Sequence, residues 1–235
     1  MSSSELKIEA KERLVGKKKE AAIVILLVMV VTSVLGKLCG AFSINSTTLD
    51  NLNSGSSVVV STEEQTPMQT LGRIIFFIVN TFLSLGMTSY FLKISRGEDA
   101  KIEELWSKGK LLPKAIAVAI IRGVVVALGC LALIIPGIIL TIAYSMTSYL
   151  LIDNPDMGIL DILKNSRTMM KENKWAYFCL GISFIGWYLL LIPTIGLLSF
   201  WLFPYVDVTF CAFYNNLIGK GGVENAVEAE TVEGE

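Results

Sequence analysis

The sequence predicts an all-α polytopic membrane protein: six transmembrane helices as three hairpins, joined by cytoplasmic-side amphipathic connector helices. Three observations carry this. First, 53% of the 235 residues are hydrophobic and the mean hydropathy is +0.60, too apolar for an ordinary soluble domain. Second, the apolar residues gather in six segments near spanning length, at 21–42, 74–92, 115–134, 137–152, 175–192 and 194–214. About 20 helical residues cross a hydrocarbon core, so 137–152 is short unless it extends into its turn. Third, 17 of the 20 Lys and Arg fall before residue 21, in 93–114, in 153–174 or in the tail. The positive-inside rule then places both termini in the cytoplasm of a cell-membrane protein.

Residues 1–20 form a cytoplasmic segment. Within SELKIEAKERLV, Leu6, Ala10 and Leu14 share one helical face with charges elsewhere. That pattern fits an interfacial amphipathic helix, with Lys17, Lys18 and Lys19 at anionic headgroups, or a solvated helix. Residues 21–217 form the membrane domain. Its first span follows a polar stretch of about twenty residues, and no small-x-small cleavage site follows it, so an uncleaved helix is expected.

The external loop 43–70 carries no Lys or Arg and is rich in Ser, Thr and Asn. Its Asn45-Ser46-Thr47 triplet matches a glycosylation sequon, a pattern that such composition often produces by chance. The connector at 98–110 places Ile102, Leu105 and Trp106 at helical spacing. The connector at 156–172 does the same with Ile159, Leu163, Ser166 and Met170, beside Ile162 and Met169. Asn154 before Pro155 reads as an N-cap with proline at the first helical position. Pro113 likewise starts a helix, Pro136 and Pro193 make outer turns, and Pro204 is expected to kink the last span. Residues 218–235 form an acidic cytoplasmic tail.

Internal repetition supports the hairpins. MTSYFL (87–92) and MTSYLL (146–151) end the second and fourth spans, and IIPGII (134–139) corresponds to LIPTIG (191–196).

Asp207, in WLFPYVDVTF, sits within an apolar helix at a cost of about 2.5–3.5 kcal/mol on insertion scales. Counted from the inner ends of their spans, Asp207 and Arg122 lie about 12 Å deep, and Ser84 and Tyr144 slightly deeper. These four make a candidate polar layer. Arg122 and Asp207 are the candidate intramembrane pair; a transport path through the layer and an unpaired, snorkelling Arg122 are the alternatives. Ala115, Ala119, Gly123 and Ala127 form a small-residue ridge that admits close neighbouring helices.

Several chemistries are excluded. Without histidine there is no His base, Ser–His dyad or HExxH zinc site. No phosphate-binding glycine loop occurs, one deep acid does not make a two-aspartate protease, and topology explains the basic residues without nucleic acid. No metal, cofactor or enzymatic activity is expected. Cys39, Cys130, Cys179 and Cys211 show no CxxC spacing. Cys39 and Cys130 lie toward the outer ends of their helices, which leaves open a disulfide or, as the commoner case, apolar buried thiols.

The blocks ELKIEAKERL, IPGII (135–139), NSRTMMKENKW (165–175), ISFIGW (182–187) and PYVDVTFCAFY (204–214) together resemble a bacterial membrane-protein family, domain of unknown function 975. The resemblance implies a multi-pass bacterial cell-membrane protein with no established activity. Glu172 and Pro193 depart from the family pattern, which does not fix an acid at position 207. The functional expectation is a non-enzymatic protein acting through membrane lipids or a protein partner, with the connectors and acidic tail as contact surfaces. The alternative is a small-solute transporter or channel using the polar layer around Arg122 and Asp207.

Overall fold

The computed structural model describes residues 3–38, 67–132, 134–194 and 196–233, and every regular element among them is helical. In order these are α1 (Ser3–Arg13), α2 (Lys18–Leu38), α3 (Pro67–Ser95), α4 (Glu104–Ser107), α5 (Leu112–Ala132), α6 (Ile134–Ala143), α7 (Thr147–Asp153), α8 (Ile159–Met169), α9 (Lys174–Ile182), α10 (Ile185–Leu189) and α11 (Ser199–Glu233). The sequon, Cys39 and most of the external loop lie outside the described residues.

The chain divides into two compact units, Leu27–Asn80 and the remainder. In the Leu27–Asn80 unit the described residues are parts of α2 and α3. Val30, Val34, Leu71, Ile74 and Ile75 stand exposed there, and Thr32 turns its hydroxyl back onto the Val28 carbonyl at 2.7 Å. Apolar side chains outward, with the Thr32 hydroxyl satisfied within its own helix, are compatible with a lipid environment.

The other unit comprises residues 1–26 and 81–235. α5 and α6 form a hairpin whose close approach depends on Gly137, with Gly129 facing it. A Cβ on Gly137 would come within 3.0 Å of the Cys130 backbone, and one on Gly129 within 3.4 Å of the Gly137 Cα. α8 lies across the open end of this hairpin, where α5 begins and α6 ends. It buries Ile162, Leu163, Ser166 and Met170, and the Ser166 hydroxyl donates to the Ala143 carbonyl at 3.0 Å. Leu163 meets Val118 and Tyr144 in a small core. The first connector is tighter: Leu105 in α4 is buried against Gly86 of α3, where a Cβ would reach 2.7 Å from the Leu105 Cα.

Three expectations differ in outcome. First, among the described residues four helical stretches are long and apolar enough to cross a membrane: Lys18–Lys37, Thr70–Ser95, Glu104–Leu131 and Ile135–Asp153. The fifth predicted span breaks into α9 and α10 around Ser183, whose hydroxyl bonds the Leu180 carbonyl at 2.5 Å; glycine and serine at 181 and 183 weaken helix continuity there. The sixth is a continuous helix through Pro204, but Tyr205, Asp207, Asn215 and Asn216 dilute its apolar character.

Second, Asn154 does not start α8. Its N–H closes α7 onto the Leu150 carbonyl at 2.8 Å, and α8 begins at Ile159 after Gly158. Third, the apolar face of α1 is covered by protein. Leu6, Ala10 and Leu14 are 3%, 0% and 4% exposed, packed on α11 and α9. Gly16, at φ 88°, turns the chain from α1 into α2.

Candidate functional site

A cavity of about 170 Å³ opens between α3, α7 and α11. α3 lines it with Ser84, Met87, Thr88 and Phe91, spaced i, i+3, i+4, i+7 and hence on one helical face. Asp207 and Cys211 face it from one side of α11, and Tyr149 from α7. Ser84 is exposed and marks the opening, whereas Phe91 and Cys211 are each 1% exposed and form the depth. The Thr88 hydroxyl is engaged by the Ser84 carbonyl at 2.8 Å. Asp207 takes part in none of the ion pairs among the described residues, which join Arg13–Glu9, Lys17–Asp99, Lys93–Glu104 and Arg96–Asp153.

Beside the cavity the helix ends are tied by a polar network. Arg96, just past α3, donates from Nη1 and Nη2 to the two carboxylate oxygens of Asp153 at 2.9 and 2.6 Å. The Tyr214 hydroxyl donates to Asp153 at 3.0 Å. Arg96 Nε donates to Asn215 at 3.2 Å, and Asn215 donates to the Ser95 hydroxyl at 2.9 Å. Tyr149, in the cavity wall, stacks on Tyr214 with ring centroids 5.0 Å apart. The cavity and the network therefore share one continuous set of side chains. The hydrogen bond to Asp153 holds the Arg96 guanidinium above its ordinary range, against the opposing effect of burial.

A second polar contact fixes α1. Lys7 lies 4.4 Å from the centre of the Phe184 ring and donates to the Ser183 carbonyl at 3.3 Å. Tyr205 returns its hydroxyl to the Lys7 carbonyl at 3.3 Å. Burial lowers the Lys7 ammonium below its ordinary value.

The structure separates the predicted polar layer. Ser84 and Asp207 share the cavity. Tyr144 belongs to the core with Val118 and Leu163. Arg122 is half-buried on α5, with Tyr177 of α9 as its electrostatic neighbour. Of the ridge, Ala115 is buried, while Gly123 and Ala127 are exposed and a Cβ on Gly123 would meet nothing within 4 Å. Sequence reasoning missed Arg96, Asp153, Tyr149, Tyr214, Asn215 and Cys211. A signal existed for two of them, since Arg96 and Asp153 each follow an MTSYxL block by a few residues.

The comparison with protein families decides one point. Residues 114–220 match the family described as Protein of unknown function (DUF975). This bears out the resemblance read in the sequence. The DUF975 stretch contributes Tyr149, Asp207 and Cys211 to the cavity and Asp153, Tyr214 and Asn215 to the network. Arg96 and the α3 side of the cavity lie before it. No curated protein and no solved structure matches the chain.

Proposed function

We propose that the protein is a multi-pass protein of the bacterial cell membrane that crosses it four times, keeps both termini in the cytoplasm, and acts by binding rather than by covalent chemistry. Lipid headgroups are the first partner class and a protein docking on the connectors or acidic tail is the second. The observation that carries this reading is the outer face of the connectors and of the start of α9. Trp106, Leu160 and Trp175 are 59%, 71% and 73% exposed, set among Lys101, Lys108, Lys110, Lys164, Lys171 and Lys174. Exposed aromatic and aliphatic anchors with lysines nearby in sequence, interspersed with acids such as Glu103 and Asp161, suit the interface of a membrane surface.

Gentle purification from native membranes, with mass spectrometry of everything retained, tests the proposal. Retained anionic lipid, lost on Trp106→Ala with Trp175→Ala, supports it. A protein retained in equal amount moves the function to an accessory subunit. Retention of neither overturns it.

A second reading, small-solute binding or passage, draws on a different observation: Asp207 lines a cavity and takes part in none of the ion pairs among the described residues. Its support differs from the sequence expectation, because Arg122 is not part of that cavity.

A further inference from the structure

We propose that the cavity between α3, α7 and α11 is a binding site for a small organic cation, an amine or methylated ammonium, with Asp207 as its counter-ion. The proposal rests on the second reading above and deepens it by naming the ligand class.

Four features select this chemistry. The first is charge: Asp207 brings a carboxylate to the wall, and none of the ion pairs among the described residues satisfies it. A half-buried carboxylate favours a cation as company. The second is the remaining wall. Phe91 and Tyr149 bring aromatic rings and Met87 a polarisable thioether, groups that attract alkylated ammonium through cation–π and dispersion contacts.

The third is the shortage of oxygen. Besides Asp207, the side-chain oxygens in the wall are the hydroxyls of Ser84, Thr88 and Tyr149, and that of Thr88 is engaged by a backbone carbonyl. Calcium takes six to eight oxygen ligands and magnesium a near-ideal octahedron; this wall offers neither. The fourth is size. About 170 Å³ holds five or six waters at roughly 30 Å³ each, room for an ammonium bearing a few carbons and too little for a large drug-like cation.

The stacking of Tyr149 on Tyr214, and the Tyr214 bond to Asp153, fix one wall of the site. Tyr149 therefore needs little ordering when a ligand arrives, which favours binding.

The test uses the full chain in lipid nanodiscs, with Thr88→Cys as the one thiol after the native cysteines are replaced by alanine. A polar methanethiosulfonate reagent measures access to the cavity, and tetramethylammonium chloride is the probe. The expected result is labelling that tetramethylammonium slows at least fivefold and equal sodium chloride does not. Asp207→Asn should abolish the protection, and Phe91→Leu should weaken it roughly fivefold to tenfold. Should Asp207→Asn fail to fold, Phe91→Leu and the sodium control decide the outcome. Labelling without protection, or equal protection by sodium, overturns the organic-cation site and leaves an open cavity. A thiol that does not label at all overturns the cavity reading as well.

Discussion

Arg96 and Asp153 meet through two hydrogen bonds, at 2.9 and 2.6 Å, so the residues that follow the two MTSYxL blocks are clamped to each other. The repeat therefore has a physical consequence: equivalent helix ends arrive side by side, one carrying the fork of donors and the other the paired acceptors. Tyr214 and Asn215 add α11 to the same knot.

Arg96→Gln is expected to destabilise the protein by about 1.5–3 kcal/mol, the range for hydrogen bonds to charged groups. The lower half of that range is the better guide, because the Arg96 and Asp153 side chains are 34% and 19% exposed and solvent screens the pair. A double-mutant cycle with Asp153→Asn, read by thermal unfolding in detergent, checks this; additivity would deny the coupling. The sign with pH follows from the raised Arg96 value. Its contribution is fully present below the ordinary arginine value and is lost only as pH rises through the still higher folded value. Arg96 therefore contributes no pH dependence to stability across the neutral range.

The docking of α1 gives a second expectation. Ala10 is 0% exposed between α1 and its neighbours, so Ala10→Leu has no room and should cost about 1–3 kcal/mol by overpacking. Limited proteolysis should then release the N-terminal segment early, while Ile8→Ala, at a position 58% exposed, leaves the cleavage rate unchanged.

Glycines on α5 and α6 behave differently from the ridge the sequence suggests. Gly137→Ala drives a methyl into Cys130 and should cost about 1–3 kcal/mol, partly recovered by adding Cys130→Ala. Gly123→Ala meets open space and should be neutral or stabilising by up to about 1 kcal/mol from helix propensity. Melting temperatures of the three variants settle the comparison.

Much of this was legible in the sequence, and the rest has identifiable reasons for being hidden. Hydropathy found the first four long helices, and i, i+3, i+4 spacing found the buried face of α8 and the face Leu6–Ala10–Leu14. Periodicity shows that a face is apolar, not what covers it, so α1 read as either a membrane-surface or a solvated helix when α11 was its partner. Depth counting placed Arg122, Tyr144, Ser84 and Asp207 in one layer because distance along an axis was its sole coordinate. Azimuth, which sends Tyr144 into a core and Ser84 into a cavity, comes only from packing. Arg96 and Asp153 stood outside every apolar segment, where an ion pair between distant positions leaves no periodic trace.

The pairing of Arg122 with Asp207 is also testable. Neither takes part in an ion pair among the described residues, so Arg122→Gln and Asp207→Asn should combine additively, within about 0.5 kcal/mol. A double variant markedly more stable than the sum would restore the intramembrane pair.

The last expectation concerns how many times the chain crosses. α1 packs beside Tyr205 of α11 with Glu5, Lys11, Glu12 and Arg13 exposed. If Tyr205 lay deep in hydrocarbon, those charges would enter lipid at about 2.5–3.5 kcal/mol each, a sum no docking contact here offsets. This side of α11 is therefore expected to face water or headgroups. Around the turn that precedes α11, Ile192, Leu197 and Trp201 are 75%, 70% and 67% exposed, suited to dipping into the inner leaflet without emerging. Gly196, at φ 78°, shapes that turn. A cysteine at Leu197 should thus resist a membrane-impermeant thiol reagent added outside intact cells, while one at Ser56 in the external loop reacts. Labelling of both from outside would mean that the third hairpin crosses, that α1 is displaced from α11 in the membrane, and that six spans is the correct count.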